Sequence, residues 1–328
     1  QGEMQQKVEK LGNTVKWGKY LRAPQVFFDL IDSRKFCLLG EMATTKRGST
    51  TRINPFFHVS QERANAFKIE EEYLLPLFKS PKESDTIEVD VSTLKLKVFV
   101  CRRSKDELEK LRHVGALNYI NWGEKQAYDS GKFRGLAWPE GTWIKKRKPG
   151  WWSLPSNDLN KARVFFTQAL GETHFHHYSL KDVIPDARLY YLKPRSRINA
   201  ELLAACLNSS ICALSSEVIG RVTMGDGVLE LKVEDARDYL YVPDLRRVES
   251  TKREAVNEAF QSMLRRPIGS VFQEIREADR QALDTLIFQA VGLNPKIFLK
   301  PLYEGLEELV SERIELAKMR GRIRKTKV

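Results

Sequence analysis

No apolar run in the 328 residues reaches the ~20 residues of a membrane-spanning helix, and no charged-then-apolar leader opens the chain. The four cysteines, Cys37, Cys101, Cys206 and Cys212, form no CxxC pair. Such sparse thiols are typical of reduced, buried residues and argue against a disulfide scaffold. The sequence therefore predicts a cytoplasmic protein with no membrane partner.

The motifs of several enzyme classes are missing as well. A G-x-x-x-x-G-K-[ST] phosphate cradle is absent, and no nucleophile elbow, metal-ligand spacing or paired carboxylate stands out. Residues 54–57, "NPFF", resemble the Asn-Pro-Pro-Tyr/Phe tetrapeptide of amino-methyltransferases, but the second proline is missing. The roughly 50 residues upstream are too few for a nucleotide-binding half. We predict no catalytic residue, no metal and no cofactor in this chain.

Positive charge is in excess. The chain has 55 lysines and arginines against 43 acids, a formal net charge of +12. This balance fits a polyanionic partner, but it also fits a basic and otherwise ordinary surface. With 42% hydrophobic residues the chain has enough apolar side chains to bury a sizeable core.

The patterning predicts an α+β protein, in which a mixed, sheet-containing domain is followed by a helical C-terminal unit. Residues 1–23 are polar and are interpreted as the entry from an upstream domain, residues 24–245 as the main domain, and residues 246–328 as the helical unit with a basic tail. From about residue 246, apolar side chains recur at helical spacing, and a last helix is predicted over 301–320.

Local signals place the elements within these units. Residues 86–101 alternate apolar and polar side chains, which is typical of a half-buried strand, with a turn at Ser92. Ser104 and Glu107 form a capping-box pattern before a helical stretch. Residues 199–219 are predicted to form one buried helix with Asn199 at its N-cap.

Residues 44–57, "TTKRGSTTRINPFF", combine cations, hydroxyls and a glycine in what we predict to be a loop, because Gly48 and Pro55 interrupt regular structure. Cations attract phosphates, while hydroxyls and backbone N–H groups contact phosphates and base edges. The candidate DNA-binding residues of this stretch are Lys46, Arg47, Gly48, Ser49, Thr50, Thr51 and Arg52.

A second basic stretch, residues 131–163, holds four of the six tryptophans. Indoles either stack on bases or brace a long loop against the core, and burial is favoured for Trp151 and Trp152. For residues 145–148 phosphate contact is slightly favoured over a solvated face. The candidate DNA-binding residues here are Arg134, Lys145, Lys146, Arg147 and Trp151.

Two further patterns are weaker. His174 and His176 lie on one face of a predicted strand with His177 opposite, but no third ligand lies at a telling distance, so ordinary surface or core histidines are favoured over a metal site. The tail "KMRGRIRKTKV" is either a frayed end or a basic arm on DNA.

Several segments in order, among them "KWGKYLRAPQVFFDLI", "TTKRGSTTRINPFFHV", "KKRKPGWWSLP" and "EADRQALDTLIFQAVGL", resemble the C-terminal half of large adenine-N6 DNA methyltransferases. These are the single-chain enzymes of bacterial and archaeal restriction or phage-defence systems, similar in layout to the Taq and Eco57 enzymes. The resemblance implies that the chain is a target-recognition region. It places Lys46, Arg47, Gly48, Thr50 and Thr51 at or near double-stranded DNA, followed by Lys146, Arg147 and Trp151.

In the family, an upstream domain binds S-adenosylmethionine and carries the catalytic Asn-Pro-Pro-Tyr, so the resemblance implies that this chain alone does not methylate. The alternative is a protein-interaction scaffold whose helices dock a methylase or nuclease, with the charge incidental. DNA binding with a steep salt dependence distinguishes the two.

Overall fold

Short strands and short helices intermingle up to residue 243, after which the chain is helical. The computed structural model describes residues 22–156, 159–222 and 227–325, with side chains up to residue 319. The helices described are α1 Gln25–Asp32, α2 Leu39–Met42, α3 Asn54–Phe57, α4 Gln61–Phe67, α5 Lys105–Leu111, α6 Val114–Glu124, α7 Ala200–Leu207, α8 Ser210–Ile219, α9 Val233–Tyr239, α10 Ser250–Met263, α11 Val271–Glu274, α12 Ala278–Ala290 and α13 Pro295–Lys325.

The strands are short because polar turns and single helical turns interrupt the apolar stretches. They are β1 Phe36–Leu38, β2 Ala43–Arg47, β3 His58–Ser60, β4 Leu74–Phe78, β5 Leu96–Phe99, β6 Ala162–Phe166, β7 Ala169–Leu170, β8 His177–Pro185, β9 Tyr190–Pro194, β10 Leu229–Glu230 and β11 Tyr241–Pro243. Single 3-10 turns occupy Glu71–Tyr73, Pro81–Glu83, Val91–Thr93, Gly131–Phe133, Trp138–Glu140 and Leu245–Arg247.

Seven strands form one mixed sheet in the order β2-β9-β6-β8-β4-β5-β3. All neighbours are antiparallel except β4 and β8, which run parallel. Strand β2 lies at one edge and pairs with β9, so that Thr45 is opposite Leu192. Two further pairs, β1 with β11 and β7 with β10, lie outside this sheet.

The buried apolar residues form three clusters. The largest packs α1, α7 and α8 between the sheet and the C-terminal helices, with Val164, Cys212, Phe260 and Leu306 among its members. It contains residues from both sides of position 245, and the domain boundary there stays a prediction. The second cluster is rich in aromatic side chains and surrounds Phe56. The third is small and lies beside β6 and β9.

The predicted fold class, α+β with C-terminal helices, is confirmed. Two predicted caps are also present. The Ser104 hydroxyl accepts from the Glu107 N–H while the Glu107 carboxylate accepts from the Ser104 N–H, which completes the capping box. The Asn199 side chain accepts from the Leu202 N–H at the start of α7. Local side-chain chemistry was sufficient to predict both.

Other predicted elements are corrected. Residues 199–219 form two helices, because Ser209 leaves the helical conformation and caps α8 through the Cys212 N–H. The predicted strand over 86–101 is regular only at Leu96–Phe99. The predicted loop at 44–57 contains the end of strand β2 and the single turn α3. Helix α13 begins at Pro295, upstream of the predicted residue 301.

Residues 1–21, 157, 158, 223–226 and 326–328 lie outside the described part of the chain, so the interpretations placed on them stay predictions. Among the described helices, no single one combines the length and apolar composition of a membrane span; α7 and α8 pass that test together, but they are bent by 62°.

Candidate nucleic-acid interface

Gly48 marks the point where the end of β2 approaches the turn between β8 and β9. Its N–H donates to the Leu189 carbonyl at 2.8 Å, and the next N–H, of Ser49, donates to the Pro185 carbonyl at 2.7 Å. A Cβ at residue 48 would lie 2.1 Å from the Asp186 carbonyl oxygen. Glycine is required here because two backbones touch. The contact fixes the opening stretch against residues 185–189.

The segment after Gly48 is held by hydrogen bonds to side chains of both basic stretches. Thr51 donates its hydroxyl to the Asn54 side chain at 2.6 Å. The buried Arg147 donates to the Thr51 carbonyl at 3.2 Å, and its guanidinium lies 5.3 Å from the Phe57 ring centroid. Between these contacts Arg52 adopts a left-handed backbone with φ of 69° and stays exposed. The two basic stretches therefore adjoin.

An open cleft with a volume of about 730 Å³ lies in front of this segment. Four arginines line it, two from the opening stretch, one from α4 and one from the β8–β9 turn: Arg47, Arg52, Arg63 and Arg188. The same wall contains aromatic, amide and acidic side chains: Trp122, Tyr128, Trp138, Asn54, Gln126, Asp129 and Asp186. The cleft thus combines cations, hydrogen-bonding amides and ring surfaces.

Backbone carbonyls and rings, not carboxylates, hold most of these arginines. Arg47 Nε donates to the Ala187 carbonyl at 2.6 Å, and Arg63 Nη1 donates to the Pro55 carbonyl at 2.7 Å. The Arg52 guanidinium lies 5.7 Å from the Trp143 ring centroid. Within the described residues none of these three forms an ion pair, so their charge remains available to an anion.

Asp186 lies at the back of the cleft and is only 5% exposed. Its carboxylate accepts from the Arg188 N–H at 3.0 Å and lies 3.7 Å from His58 Nε2. Burial lowers the pKa of His58, although the neighbouring Asp186 opposes that shift. Arg188 Nε is 4.0 Å from Asp186, the one close carboxylate contact among the four cleft arginines in the described structure.

The predicted DNA-binding residues separate into two groups. The members of one group are exposed: Lys46, Arg47, Thr50, Arg52, Arg134, Lys145 and Lys146. Of these, only Arg47, Thr50 and Arg52 line the cleft itself. Buried positions form the other group: Gly48, Ser49, Thr51, Arg147 and Trp151.

The second group makes contacts within the protein, and its predicted role at DNA stays a prediction. Ser49, at 5% exposure, accepts from the Asn160 N–H, and Thr51 and Arg147 bind each other as described above. Trp151 packs 4.5 Å from Phe56, centroid to centroid, and Trp152 donates its indole N–H to the Arg103 carbonyl. Burial of both tryptophans confirms the interpretation favoured for them from sequence.

The sequence did not identify Arg63 and Arg188 as candidate binding residues. Arg63 lies in the first turns of α4, where it looks like a solvated helix residue, and only the fold turns it onto the Trp122 ring at 5.1 Å. Arg188 follows "IPDA" in the turn between two strands. The polar turn could have been noticed, but its approach to residue 48 depends on the β2–β9 pairing.

The histidines of "THFHHY" are all buried, and His174 Nε2 contacts Glu217 at 2.9 Å. Among the described residues no group of three His, Cys, Asp or Glu side chains is arranged to hold a metal ion. These side chains belong to the core.

Residues 14–275 match the family defined by the C-terminal domain of the type II methyltransferase M.Eco57I. The chain belongs to this family. The match covers most of the chain, including both basic stretches and the whole cleft, and it confirms the resemblance seen in the sequence. No curated protein matches this domain in sequence.

Two solved structures are similar to this M.Eco57I-type domain. The type IIG restriction endonuclease BpuSI has a TM-score of 0.64 at 17% identity, over 89% of this chain and 33% of that chain. The type IIL restriction-modification enzyme MmeI, solved in complex with DNA, is a weaker likeness, with a TM-score of 0.41 at 13% identity over 82% and 36%. The chain therefore spans about a third of the length of either enzyme, and the likeness to BpuSI establishes the fold.

Proposed function

We propose that this domain binds double-stranded DNA and supplies sequence recognition to an adenine-N6 methyltransferase whose catalytic domain lies upstream. The observation that carries the proposal is the cleft, where Arg47, Arg52 and Arg63 have no carboxylate partner among the described residues. Guanidinium groups held by carbonyls keep donors free for phosphate oxygens or for the O6 and N7 atoms of guanine.

Roles within the interface follow from exposure. Arg47, Arg52, Arg63 and Arg188 line a concave wall, where a base edge or a phosphate can be contacted from several sides. Lys46, Lys145, Lys146 and Arg134 are exposed outside that wall and suit phosphates of the flanking backbone. The amides of Asn54 and Gln126 provide donors and acceptors for adenine.

Chemistry is assigned to the upstream domain. An adenine inside a duplex is accessible to a methyltransferase only when it is rotated out of the stack. In the proposed division of labour the upstream domain binds S-adenosylmethionine and the flipped base, while this domain fixes the register of the duplex. The single-chain layout of the family, implied by the sequence resemblance, supports that division.

The test is a titration of a fluorescent duplex of about 20 base pairs at several salt concentrations, with the wild type and Arg47→Ala/Arg52→Ala. For the wild type we expect a steep linear fall of log affinity with log salt. For the double variant we expect weaker binding and a salt slope smaller by ~0.9 for each phosphate that the protein no longer neutralises. Both side chains are exposed, so thermal unfolding should be nearly unchanged.

A matched control removes two arginines elsewhere. Arg265 and Arg276 are exposed and pair with Glu88 and Glu307. Arg265→Ala/Arg276→Ala lowers the net charge by the same amount, and we expect little change in affinity or salt slope. If both double variants lost duplex affinity equally, net charge alone would explain the effect. No binding by the wild type at low salt would overturn the proposal and favour the interaction scaffold.

A further inference from the structure

Trp143 differs from the other described tryptophans in its exposure. It is 65% exposed, whereas Trp138, Trp151 and Trp152 are 6%, 6% and 7% exposed and Trp122 is half-buried. An indole left in water lacks the burial that stabilises the other described tryptophans.

The exposure is imposed by an anchored turn. The Ile144 and Lys145 N–H groups both donate to the Gly141 carbonyl, at 2.8 and 3.0 Å. Ile144 is only 2% exposed, and Arg147, three residues later, is buried against Phe57. Because the turn is fixed immediately after Trp143 and again at Arg147, the indole of Trp143 faces solvent.

Trp143 is tied to the cleft through Arg52. The Arg52 guanidinium is 5.7 Å from the indole centroid, and Arg52 also lines the cleft. Two exposed lysines, Lys145 and Lys146, follow on the same turn. An indole at the rim of a cationic cleft therefore has one side near a guanidinium and most of its surface accessible.

Resting on the proposed DNA recognition, we propose that Trp143 stacks on a nucleobase that is unpaired or opened at a distorted step of the bound duplex. Flat rings bind exposed bases in this way without reading their sequence, and apolar side chains inserted at base steps do the same in bent DNA. The Arg52 guanidinium adds a cation beside the stacked pair.

The surroundings favour a base over an apolar protein partner. A protein-docking patch is contiguous, but the other exposed large apolar residues of the described chain lie on other elements: Leu111, Val114, Leu180, Ile297, Leu316 and Met319. Two exposed cations, Lys145 and Lys146, lie on the same turn as Trp143 and suit a phosphate-bearing polymer.

The experiment compares two duplexes of about 20 base pairs that differ by one central mismatch. Because a mismatched base is already partly unstacked, the wild type should bind that duplex about tenfold more tightly, the size of one base–aromatic stack. Trp143→Leu should lose this preference and the quenching of tryptophan emission on binding. Its salt slope should stay unchanged, since no charge is removed. Trp143→Phe should retain part of the preference.

Ile297→Ala is the matched control, because Ile297 is 61% exposed and lies on α13. It should alter neither affinity nor preference. If the folded Trp143→Leu variant keeps the full mismatch preference, the stacking inference is overturned while DNA recognition stands. Should the leucine variant not fold, the same outcome with Trp143→Phe overturns it. A wild type without mismatch preference overturns it equally. A wild type that binds no duplex overturns both.

Discussion

Arginines serve opposite purposes in the cleft and in the C-terminal helices. In the cleft, Arg47 and Arg63 rest on backbone carbonyls and keep their charge accessible. In the C-terminal part of the chain, Arg266 follows α10 and binds both Glu274 and Asp279, and Arg313 on α13 binds Glu217. The partner, and not the residue type, decides whether an arginine offers charge to a ligand or holds the fold together.

The Arg313 site is the clearest case of the second kind. Arg313 is 2% exposed and donates to Glu217 through Nε at 3.0 Å and Nη2 at 2.7 Å. It also donates to the Gly171 carbonyl at 2.8 Å and to the Gly227 carbonyl. Burial alone would raise the pKa of Glu217, but hydrogen bonds from His174 and Arg313 bring that pKa below its usual range. Helix α13 is thereby joined to α8 and to the turn after β7.

Removing one partner of this buried pair should give the largest effect. Arg313→Met leaves the buried Glu217 carboxylate with His174 but without its arginine partner, and breaking such a pair costs about 3–5 kcal/mol of unfolding free energy. Urea unfolding measures that loss. Duplex affinity of the variant, taken where it is fully folded, should match the wild type.

A double variant sharpens the result. Arg313→Met combined with Glu217→Gln removes both charges, so it should recover part of the lost stability. A change below about 1 kcal/mol for Arg313→Met alone would mean that the pair does not brace the helix.

The next largest effect is expected at acidic pH, where the buried histidines of the core should lower the stability of the fold. Burial lowers the pKa of His176 to about 3 and that of His177 to about 4, from an ordinary value of 6.5. The unfolded chain therefore binds more protons below pH 6.5, and stability falls as the pH drops from there towards 4. Each histidine contributes a loss of roughly 2 kcal/mol at pH 5. Both histidines are buried in the core, and neither lines the cleft.

Unfolding measured at pH 7 and pH 5 checks this expectation. His176→Asn removes one titrating group, so it should flatten the pH dependence of stability by about one proton. Asn keeps an acceptor for the Thr167 N–H that His176 Nδ1 now binds. A pH profile as steep as that of the wild type would contradict the assignment to His176.

The smallest expected effect on stability concerns the cleft itself. In Gly48→Ala the new methyl carbon would meet the Asp186 carbonyl at 2.1 Å and the Pro185 carbonyl at 2.7 Å, so strand β2 must shift. Overpacking of this kind costs about 1–3 kcal/mol. Duplex affinity should fall as well, because Arg47 is hydrogen-bonded to the same turn.

Gly171→Ala provides the comparison, since a Cβ there would meet nothing within 4 Å. Its duplex affinity should be that of the wild type. If Gly48→Ala bound DNA normally, the geometry of the β2 end would not govern the interface.

Local chemistry explains which parts of this molecule were predictable from the sequence. The Ser104 and Asn199 caps depend on neighbours three residues away and were predicted correctly. The break at Ser209 was missed because a serine is tolerated inside a helix as well as favoured at a cap, and packing decides between the two.

The sequence predicted which stretches hold the candidate interface better than it predicted the role of each residue. Lys46, Arg47 and Arg52 stood out as cations, and they are exposed. Arg147 looked the same in sequence, yet it is buried beneath Thr51 and Phe57. Arg63 and Arg188 join the cleft only through contacts between segments distant in sequence. Long-range packing assigns these roles, and one sequence does not reveal it.

The bond from Arg47 to Ala187 joins residues 140 positions apart, and strand β2 cannot complete its pairing before β9 has been made. During synthesis, a ribosome must therefore add well over a hundred residues after Arg47 before Arg47 can contact the turn that holds Ala187. A nascent or truncated chain ending before this turn has the cations but not the concave surface. Formation of the cleft is thus coupled to completion of the sheet, since distant segments close late in folding.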